Sequence, residues 1–219
     1  MKNVVLFGTG KTAQVMYYHI QREGGVVAGF AIDREFYSEK NLFNVPVVSF
    51  DIVEKEFPPA DYDMMIAIGY KNVNLLRAER VTQAEEKGYA LINYVSSSAI
   101  IWDDLSLQSN CKIGERSILQ PYSEIEKNVF IGSGCIIGHH AKIMEHCFIA
   151  SGVIVGGGVV IEPYCFLGSG SIIRNDIIVK EASVIGAGVT LLENTEPQSV
   201  YLNRSAEKMS VTSKSLNLK

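Results

Sequence analysis

The fold is decided by a stretch in which an aliphatic residue returns at every sixth position. Its central part reads Ile137-Gly138-His139-His140-Ala141-Lys142-Ile143-Met144-Glu145-His146-Cys147-Phe148-Ile149. The register continues without insertion in both directions, through Ile101, Leu107, Ile113, Leu119, Ile125, Ile131, Ile137, Ile143, Ile149, Val155, Ile161, Leu167, Ile173, Val179, Ile185 and Leu191. A period of six fits neither an α-helix nor an alternating strand, and it is typical of a solenoid of short strands and turns. Because three hexads make one triangular coil, these sixteen hexads predict about five coils of a parallel β-helix.

The residue four positions after each aliphatic residue is mostly small, and this slot holds all four cysteines. Cys111, Cys135, Cys147 and Cys165 are separated by 24, 12 and 18 residues, all multiples of six. We therefore expect buried thiols inside the solenoid rather than disulfides or metal ligands. No Cys-x-x-Cys motif or Cys/His cluster with the spacing of a zinc site accompanies them.

Composition indicates an ordinary globular protein. The chain has 219 residues, of which 47% are apolar and 20% charged, with a formal net charge of −4. An acidic balance gives no support for nucleic-acid binding. No apolar run is long enough for a membrane span, and Gly8, Gly10 and Lys11 interrupt any apolar core of a signal peptide. We expect a cytoplasmic protein with no metal, no nucleic-acid partner and no membrane insertion.

Residues 1–96 have a different texture, in which strands and helices alternate. We expect strands at 4–7, 26–32, 45–49, 64–68 and 90–95, and helices at 13–20, after Asp51 and at 73–87. This alternation predicts a small parallel sheet in an α/β, Rossmann-like βαβ domain. The expected organisation is this domain at 1–96, the parallel β-helix at 97–200 and a carboxy-terminal tail at 201–219.

A glycine-rich loop, residues 8–13, follows the first strand. A P-loop is excluded because Val5 stands where that motif needs glycine. The dinucleotide fingerprint G-x-G-x-x-G/A does match at Gly8, Gly10 and Ala13, with Asp33 at the end of the second strand. Such a loop brings a diphosphate to a helix amino terminus, whether the ligand is a dinucleotide or a nucleotide sugar. The alternative is that the glycines only shape a tight turn.

Histidines cluster in the two hexads quoted above. His139, His140 and His146 occupy positions that we expect to point outward, whereas His19 on the first helix is expected to pack. The three clustered residues could be solvated surface, zinc ligands or general bases. An imidazole can accept a proton near neutral pH from an amine or hydroxyl that attacks a thioester, which favours the general base.

A general base needs a group that orients it, and its reaction needs a group that polarises the carbonyl. Glu145, Glu124 or Glu126 could orient His139, and the sequence does not choose among them. The run of three glycines at 156–158 offers bare backbone N–H groups that could polarise a thioester carbonyl. These glycines could instead only accommodate a tight corner.

Three motifs carry a resemblance to a known family. They are residues 4–10, the segment Ile66-Ala67-Ile68-Gly69-Tyr70-Lys71-Asn72 with Arg77, and Ile136-Ile137-Gly138-His139. In these motifs and in its domain order the chain resembles the bacterial sugar acetyltransferases of the PglD/NeuD type. The resemblance implies an α/β Rossmann-like amino-terminal domain followed by a left-handed parallel β-helix.

The resemblance also implies an activity. Such a protein moves an acetyl group from acetyl-CoA to the amine of a UDP-, dTDP- or GDP-linked amino sugar, commonly a 4-amino-4,6-dideoxyhexose. The product serves surface glycan biosynthesis, such as that of lipopolysaccharide or O-antigen, and the enzyme is a homotrimer. Other functions left open are O-acetylation of a sugar such as sialic acid, an NAD-binding oxidoreductase and an inactive nucleotide-sugar-binding scaffold.

The site residues that the resemblance implies fall into three groups. His139 is the general base, with Glu145 and His140 as further catalytic residues. The nucleotide sugar is expected at Gly8, Gly10, Lys11, Asp33, Gly69 and Asn72. Acetyl-CoA is expected along the β-helix at Phe148, Gly157, Gly158, Gly168 and Gly186, and no metal is expected.

The chain departs from the family pattern at three places. His140 follows the general base where members often have an acidic residue, and Phe148 aligns with a second family histidine. The segment Asn203-Arg204-Ser205-Ala206 replaces the family's G-x-P-A ending. A trimer is also favoured by outward apolar residues that need cover, namely Ile118, Phe130, Ile136, Ile154 and Phe166.

Overall fold

A mostly parallel five-stranded sheet forms the centre of the amino-terminal domain. In the computed structural model, which describes residues 2–38, 40–213 and 215, the strand order is Asn41–Leu42, Val45–Ser49, Val27–Ile32, Asn3–Phe7 and Tyr62–Ile66. Only the short edge strand Asn41–Leu42 is antiparallel to its neighbour. The helices are Lys11–Arg22, Val53–Glu56 and Leu75–Glu86, with 3-10 turns at Arg34–Phe36 and Phe50–Ile52. No helix in the described residues is long and apolar enough to cross a membrane.

The helices cover the sheet from both sides. Helix Lys11–Arg22 buries Ala13, Met16 and Ile20, which recur at helical spacing. Helices Val53–Glu56 and Leu75–Glu86 lie on the other side, where Val53 and Val81 pack with Phe7. The predicted Rossmann-like arrangement of this domain is thus confirmed.

The remainder of the chain is a β-helix with three flat faces. We name them the domain-facing face, the isoleucine face and the charged face. The domain-facing face contains Tyr94–Val95, Lys112–Ile113, Phe130–Ile131, Phe148–Ile149, Phe166–Leu167, Val184–Ile185 and Val200–Tyr201. The isoleucine face contains Ile100–Ile101, Ile118–Leu119, Ile136–Ile137, Ile154–Val155, Ile172–Ile173 and Thr190–Leu191. The charged face contains Glu124–Ile125, Lys142–Ile143, Val160–Ile161 and Ile178–Val179.

The hexad register determines what lies inside this prism. Residues 18 apart pair in register, as Ile131 pairs with Ile149, so the aliphatic positions stack into one continuous core. The four cysteines are fully buried among them and are free thiols, which confirms the prediction for the small slot. The predicted fold class, a left-handed parallel β-helix behind an α/β domain, is confirmed.

Each corner of the prism turns at a fixed hexad position. From Asn110 to Gly188 every sixth residue has a positive φ, between 52° and 73°. His140 and His146 both occupy this position, with φ values of 57° and 63°. The left-handed conformation is unfavourable for most side chains and is best tolerated by glycine and asparagine. His139 stands just before one of these corner residues and is exposed.

The junction between the domains differs from the prediction. The strand expected at 90–95 is reduced to Tyr94–Val95, and it pairs with Lys112–Ile113 of the β-helix rather than with the amino-terminal sheet. Only Leu91 makes an isolated bridge to Met64. The chain leaves the first sheet early because its next backbone partners are already those of the first coil.

A fully buried arginine holds the two domains together. The guanidinium of Arg77 donates to the side-chain oxygens of Asn74 and Asn128 and to the carbonyls of Gly69, Asn128, His146 and Cys147, at 3.0–3.3 Å. Its carbon lies 4.5 Å from the ring centre of Phe130. Burial lowers the pKa of Arg77 to about 9. Since all of these oxygens are uncharged, the network satisfies the hydrogen bonds of the cation without neutralising it.

Aromatic side chains complete the junction. Phe130 is 1% exposed, and Phe148 and Phe166 continue its row beneath Tyr70. The expectation that Phe130 and Phe166 need cover from another copy is therefore wrong for Phe130, because the α/β domain of the same chain covers it. On the isoleucine face, Ile100, Ile154 and Ile172 are 64%, 39% and 42% exposed.

The junction predicts a pH-dependent stability. His146 contacts the Asn128 amide at 2.8 Å, and burial, reinforced by Arg77 and Lys127, lowers the pKa of His146 to about 4 from 6.5. Between these values the unfolded chain binds a proton that the folded protein does not, so stability is lost as pH falls from 6.5 to 4. We expect this group to contribute no more than about 3 kcal/mol.

The test is chemical denaturation of wild type and His146→Asn across pH 4–8. Asparagine tolerates the positive φ but does not titrate, so the variant should lose less stability than wild type between pH 6.5 and 4. Parallel pH profiles for the two proteins would contradict the assignment.

Candidate active site

The two glycines of the glycine loop differ in their surroundings. Gly8 is buried with a φ of +111°, and an added Cβ would lie 2.8 Å from the Ile68 side chain, so only glycine fits there. Gly10 caps helix Lys11–Arg22, and no side chain caps that terminus. A Cβ at Gly10 would meet nothing within 4 Å. Backbone conformation and packing thus require glycine at position 8. At Gly10 the space is open, and it lies beside the exposed Lys11.

A cavity of about 190 Å³ adjoins this loop and has the size of a nucleoside fragment. Thr9, Gln14, Ile32 and Phe36 are among its lining residues. The sequence analysis did not identify these residues because they come from three separate elements.

Asp33 lies at the carboxyl end of strand Val27–Ile32, as predicted, but its carboxylate is engaged. Arg80 of helix Leu75–Glu86 binds it through two nitrogens at 3.0 Å. Both side chains are mostly buried. The Asp33 carboxylate could therefore contact a ribose or base only while it is also bound to Arg80.

Gly69 and Asn72 lie on the turn that precedes helix Leu75–Glu86. The Gly69 carbonyl accepts from Arg77 at 3.3 Å, so it belongs to the domain junction. Asn72 is exposed and begins three consecutive residues of positive φ, Asn72, Val73 and Asn74. Asn74 is fully buried and donates to the carbonyls of Tyr164 and Cys165 at 3.1 Å. The strained turn thus inserts Asn74 into the β-helix and leaves Asn72 outside.

A cleft of about 230 Å³ separates the start of the first helix from the β-helix. Lys11 and Thr12 line it on one side, and Lys112 and Phe130 on the other. Lys112 is the only charged residue in the outward row of the domain-facing face, whose other members are aromatic or aliphatic. Burial lowers the pKa of Lys112, and no ion pair to it is formed within the described residues. Sequence reasoning missed this residue, although a lysine in an otherwise apolar hexad row was a visible signal.

His139 lies exposed on the corner between the isoleucine face and the charged face. Its backbone N–H donates to the Gln120 side chain at 3.0 Å, and its Nδ1 lies 3.1 Å from Nδ1 of His140. Nε2 makes no hydrogen bond in the described part of the chain. The contact with His140 therefore orients the ring and leaves Nε2 free to take a proton.

The next coil places its three glycines directly against His139. A Cβ at Gly157 would lie 2.7 Å from the imidazole, so the ring rests on bare backbone. The N–H groups of Gly156 and Gly158 donate to the carbonyls of Ile173 and His139, both at 2.9 Å. The Gly157 N–H has no acceptor among the described residues. The corner is thus too tight for a side chain at Gly157, and it carries one N–H group without an acceptor in the described residues.

Glu145 does not reach His139. It lies on the next corner, between the charged and domain-facing faces, where its carboxyl hydrogen-bonds to Glu126. This hydrogen bond and burial raise the pKa of Glu145. Glu124 and Glu126 pair with Lys142 at 3.3 and 3.0 Å. The structure thus brings His140, rather than any of these three carboxylates, to the imidazole.

The residues expected to hold acetyl-CoA lie in three different places. Gly157 and Gly158 adjoin His139, but Phe148 belongs to the domain junction, where it stacks with Phe166. Its strand faces the α/β domain, where Phe148 also lines the cleft beside Lys11, so its contact with acetyl-CoA stays a prediction. Gly168 and Gly186 lie on the corner between the domain-facing and isoleucine faces, and the following chain passes so close that a Cβ would overlap it.

His146 and His19 play no part in this corner. His146 was expected to point outward, but it is half-buried in the domain junction and stacks on Tyr164. His19 packs as predicted and lies 3.2 Å from Glu115. Within the residues the structure describes, no three His, Cys, Asp or Glu side chains are grouped to hold a metal ion.

The two candidate sites of one chain lie on opposite sides of the prism. The glycine loop adjoins the domain-facing face, whereas the His139 corner joins the other two faces. A ligand held by the loop would therefore have to pass around the solid core of the prism to contact His139 of the same chain.

Comparison with known proteins supports this architecture. Residues 122–157 match the family model of the bacterial transferase hexapeptide, six repeats. A comparison with curated protein sequences gives no match. The hexad solenoid with an exposed corner histidine thus has the repeat of the hexapeptide transferases.

Solved structures share the whole two-domain fold. PerB from Caulobacter crescentus, solved with CoA and GDP-perosamine, aligns with a TM-score of 0.83 at 21% identity over 91% of this chain and 93% of its own. The acetyltransferase domain of PglB from Neisseria gonorrhoeae, solved with acetyl coenzyme A, aligns with a TM-score of 0.82 at 16% identity over 91% and 95%. WeeI from Acinetobacter baumannii gives 0.80 at 18% identity over 91% and 96%. The fold is therefore the one that these three structures share, and the resemblance seen in the sequence is confirmed at that level.

The contact between Gly157 and His139 gives a direct test of the corner. Gly157→Ala should displace the imidazole, because the added methyl group would overlap the ring. The free energy of unfolding should change little, by about 0.5 kcal/mol, since the ring is exposed. Nitrogen-15 NMR of the imidazole should show changed His139 signals in this variant and unchanged ones in Gly10→Ala, where space is open. Unchanged His139 signals in Gly157→Ala would contradict the geometry.

Proposed function

We propose that this protein transfers an acetyl group from acetyl-CoA to the amine of a nucleotide-linked amino sugar. The observation that carries the proposal is the exposed His139 imidazole, resting on the Gly157 backbone at a corner of the hexapeptide β-helix. PerB and the PglB domain, which share the fold, were solved with CoA and acetyl coenzyme A. The same fold with a usable base favours acyl transfer over hydride transfer.

His139 acts as the general base. The sugar nitrogen attacks the thioester carbonyl, Nε2 of His139 takes the proton of the amine, and the carbon–sulfur bond breaks to release the CoA thiolate, which is then protonated. His140 is a positioning residue, because its Nδ1 contacts Nδ1 of His139 at 3.1 Å. It places a second imidazole where family members often have an acidic residue.

The Gly157 N–H stabilises the negative charge that develops on the thioester carbonyl oxygen. Negative charge develops on the thioester oxygen during attack, and a preorganised backbone N–H lowers the barrier. The Gly157 N–H is unused and lies beside the base, which supports this role. Acetyl-CoA would run from this corner along the isoleucine face toward the corner that holds Gly168 and Gly186.

The nucleotide part of the acceptor binds at the glycine loop. The cavity beside Thr9 takes the nucleoside, and the diphosphate lies in the cleft between Lys11 and Lys112. A partly buried lysine that forms no ion pair within the described residues is unfavourable unless an anion approaches it. Lys112 therefore extends the phosphate site from the first domain onto the β-helix.

The complete site forms between copies of the chain. Because the loop and His139 of one chain lie on opposite sides of the prism, the loop of one copy would serve His139 of another. The exposed row of Ile100, Ile154 and Ile172 is the surface that another copy would cover, and His139 lies at its edge. A homotrimer, the closed assembly suited to a three-faced prism, satisfies both conditions.

The activity is tested by release of free thiol from acetyl-CoA. GDP-, UDP- and dTDP-linked 4-amino-4,6-dideoxyhexoses serve as acceptors, and the matching 4-hydroxy sugars test transfer to oxygen. We expect thiol release with an amino sugar, and a decrease in kcat of about 10²–10⁴-fold in His139→Ala, the contribution of one general base.

The control is His146→Asn at pH 8, where His146 of the wild type is neutral. This variant removes an imidazole of the domain junction and should keep the transfer activity. Full thiol release in His139→Ala, or none from any acceptor in the wild type, would contradict the proposal.

Lys112 gives a second test that needs no turnover. Lys112→Met should weaken the binding of GDP or UDP about tenfold in calorimetry, since a hydrogen bond to a charged group contributes about 1.5–3 kcal/mol. The free energy of unfolding should not fall, because the variant removes a buried charge. Lys55→Met, on an exposed helix position, is the matched control. Equal affinities of Lys112→Met and wild type would remove Lys112 from the site.

A further inference from the structure

A wide groove lies on the charged face, one coil below His139. Its volume is about 550 Å³. Trp102, Tyr122 and Ser123 line one side, and Glu124, Glu126 and Lys142 line the other. None of these residues was assigned a role in binding above.

An aromatic row leads from the groove to the general base. The ring centres of Trp102 and Tyr122 are 5.5 Å apart, and those of Tyr122 and His140 are 4.8 Å apart. Tyr122 is 62% exposed, which leaves its ring face available. His140 in turn contacts Nδ1 of His139, so a ligand lying on this row would have one end beside the histidine pair.

Two polar atoms of the groove lack partners. Trp102 Nε1 and Ser123 Oγ are buried and make no hydrogen bond, and they are two of three such side-chain atoms in the described residues. A buried donor without an acceptor costs about 1–3 kcal/mol, and a buried indole N–H normally finds one. A hydroxyl or ring oxygen of a ligand would supply the acceptor for Trp102 Nε1, whereas Ser123 occupies the small slot inside the prism.

The charges of the groove suit a cation. Two carboxylates, Glu124 and Glu126, share the single ammonium of Lys142. Glu145, which hydrogen-bonds to Glu126, tends toward its neutral form because this bond and burial raise its pKa. Asp104 also lines the groove, so the carboxylates of the groove outnumber its one ammonium group.

We propose that this groove binds the pyranose of the acceptor amino sugar, with the apolar face of the ring on Trp102 and Tyr122 and the ammonium drawn by Glu124 and Glu126. A deoxy sugar has a methyl-bearing apolar face that stacks on aromatic rings, and an amino group that carboxylates attract. The groove thus selects a cationic acceptor, which loses one proton to solvent before its neutral amine attacks at His139 and gives the second proton to Nε2. This inference rests on the proposed function and names the residues that recognise its substrate.

Trp102 is itself the reporter, because the chain has one tryptophan. Full-length protein is titrated with GDP-perosamine and with UDP- and dTDP-linked 4-amino-4,6-dideoxyhexoses, and separately with GDP, UDP, dTDP and CoA. We expect one or more sugar nucleotides to shift or quench the tryptophan emission, and the nucleoside diphosphates and CoA to leave it unchanged. An equal change with a nucleoside diphosphate or CoA would mean that a base occupies the groove, which overturns the proposal.

Kinetics of variants test the same contact. Trp102→Ala should raise KM for the amino sugar at least tenfold, with KM for acetyl-CoA and kcat within threefold of wild type. Trp102→Phe keeps the ring but not the N–H and should give an intermediate KM. Tyr18→Ala, an exposed aromatic residue on the first helix, is the matched control and should change neither constant. Thermal unfolding of each variant checks that the fold is retained.

The outcomes separate this inference from the proposed function. Thiol release with an unchanged acceptor KM in Trp102→Ala, or with no emission change, overturns the groove assignment alone. Absence of both thiol release and emission change overturns the groove assignment together with the function proposed above.

Discussion

The contact between successive coils of the β-helix is the constraint on which the rest depends. The coils approach so closely that a Cβ at Gly138 would lie 2.5 Å from the Gly157 nitrogen. The interior therefore accepts only aliphatic and small residues, and each corner turns through one residue of positive φ. Only residues that neither face the interior nor adopt the positive φ are free to contact a substrate. Because residues 18 apart stack, His139 and Gly157 lie one above the other, and a base and an unused backbone donor share one corner.

The buried Arg77 adds a second constraint, since it fastens the α/β domain to one face of the prism. A guanidinium held by uncharged oxygens tolerates little displacement, because each broken hydrogen bond leaves a buried cation less well satisfied. The domain is thus held against Phe130, on the side away from His139. This placement is the physical reason that our proposed site needs two copies of the chain.

The cleft beside the glycine loop is basic and the groove below His139 is acidic, which agrees with the ligand that we propose. Lys11 and Lys112 border the cleft beside the glycine loop, and Glu124 and Glu126 border the groove below His139. A nucleotide-linked amino sugar has a diphosphate at one end and an ammonium at the other. Charge would thus orient the acceptor between a basic surface of one copy and an acidic surface of the next.

The sequence by itself determined the β-helix, its buried cysteines and the exposed corner that carries His139, because a six-residue period has one consistent three-dimensional solution. It also determined the Rossmann-like strand, loop and helix at Gly8–Gly10, whose pattern is local. Only the tertiary structure decided that Phe148 packs at the domain junction, that Glu145 binds Glu126 instead of His139, and that Lys112, Trp102 and Tyr122 border the clefts. These outcomes depend on which face of the prism the first domain covers and on which corner a residue occupies. Such contacts join residues far apart in the chain, and no local period encodes them.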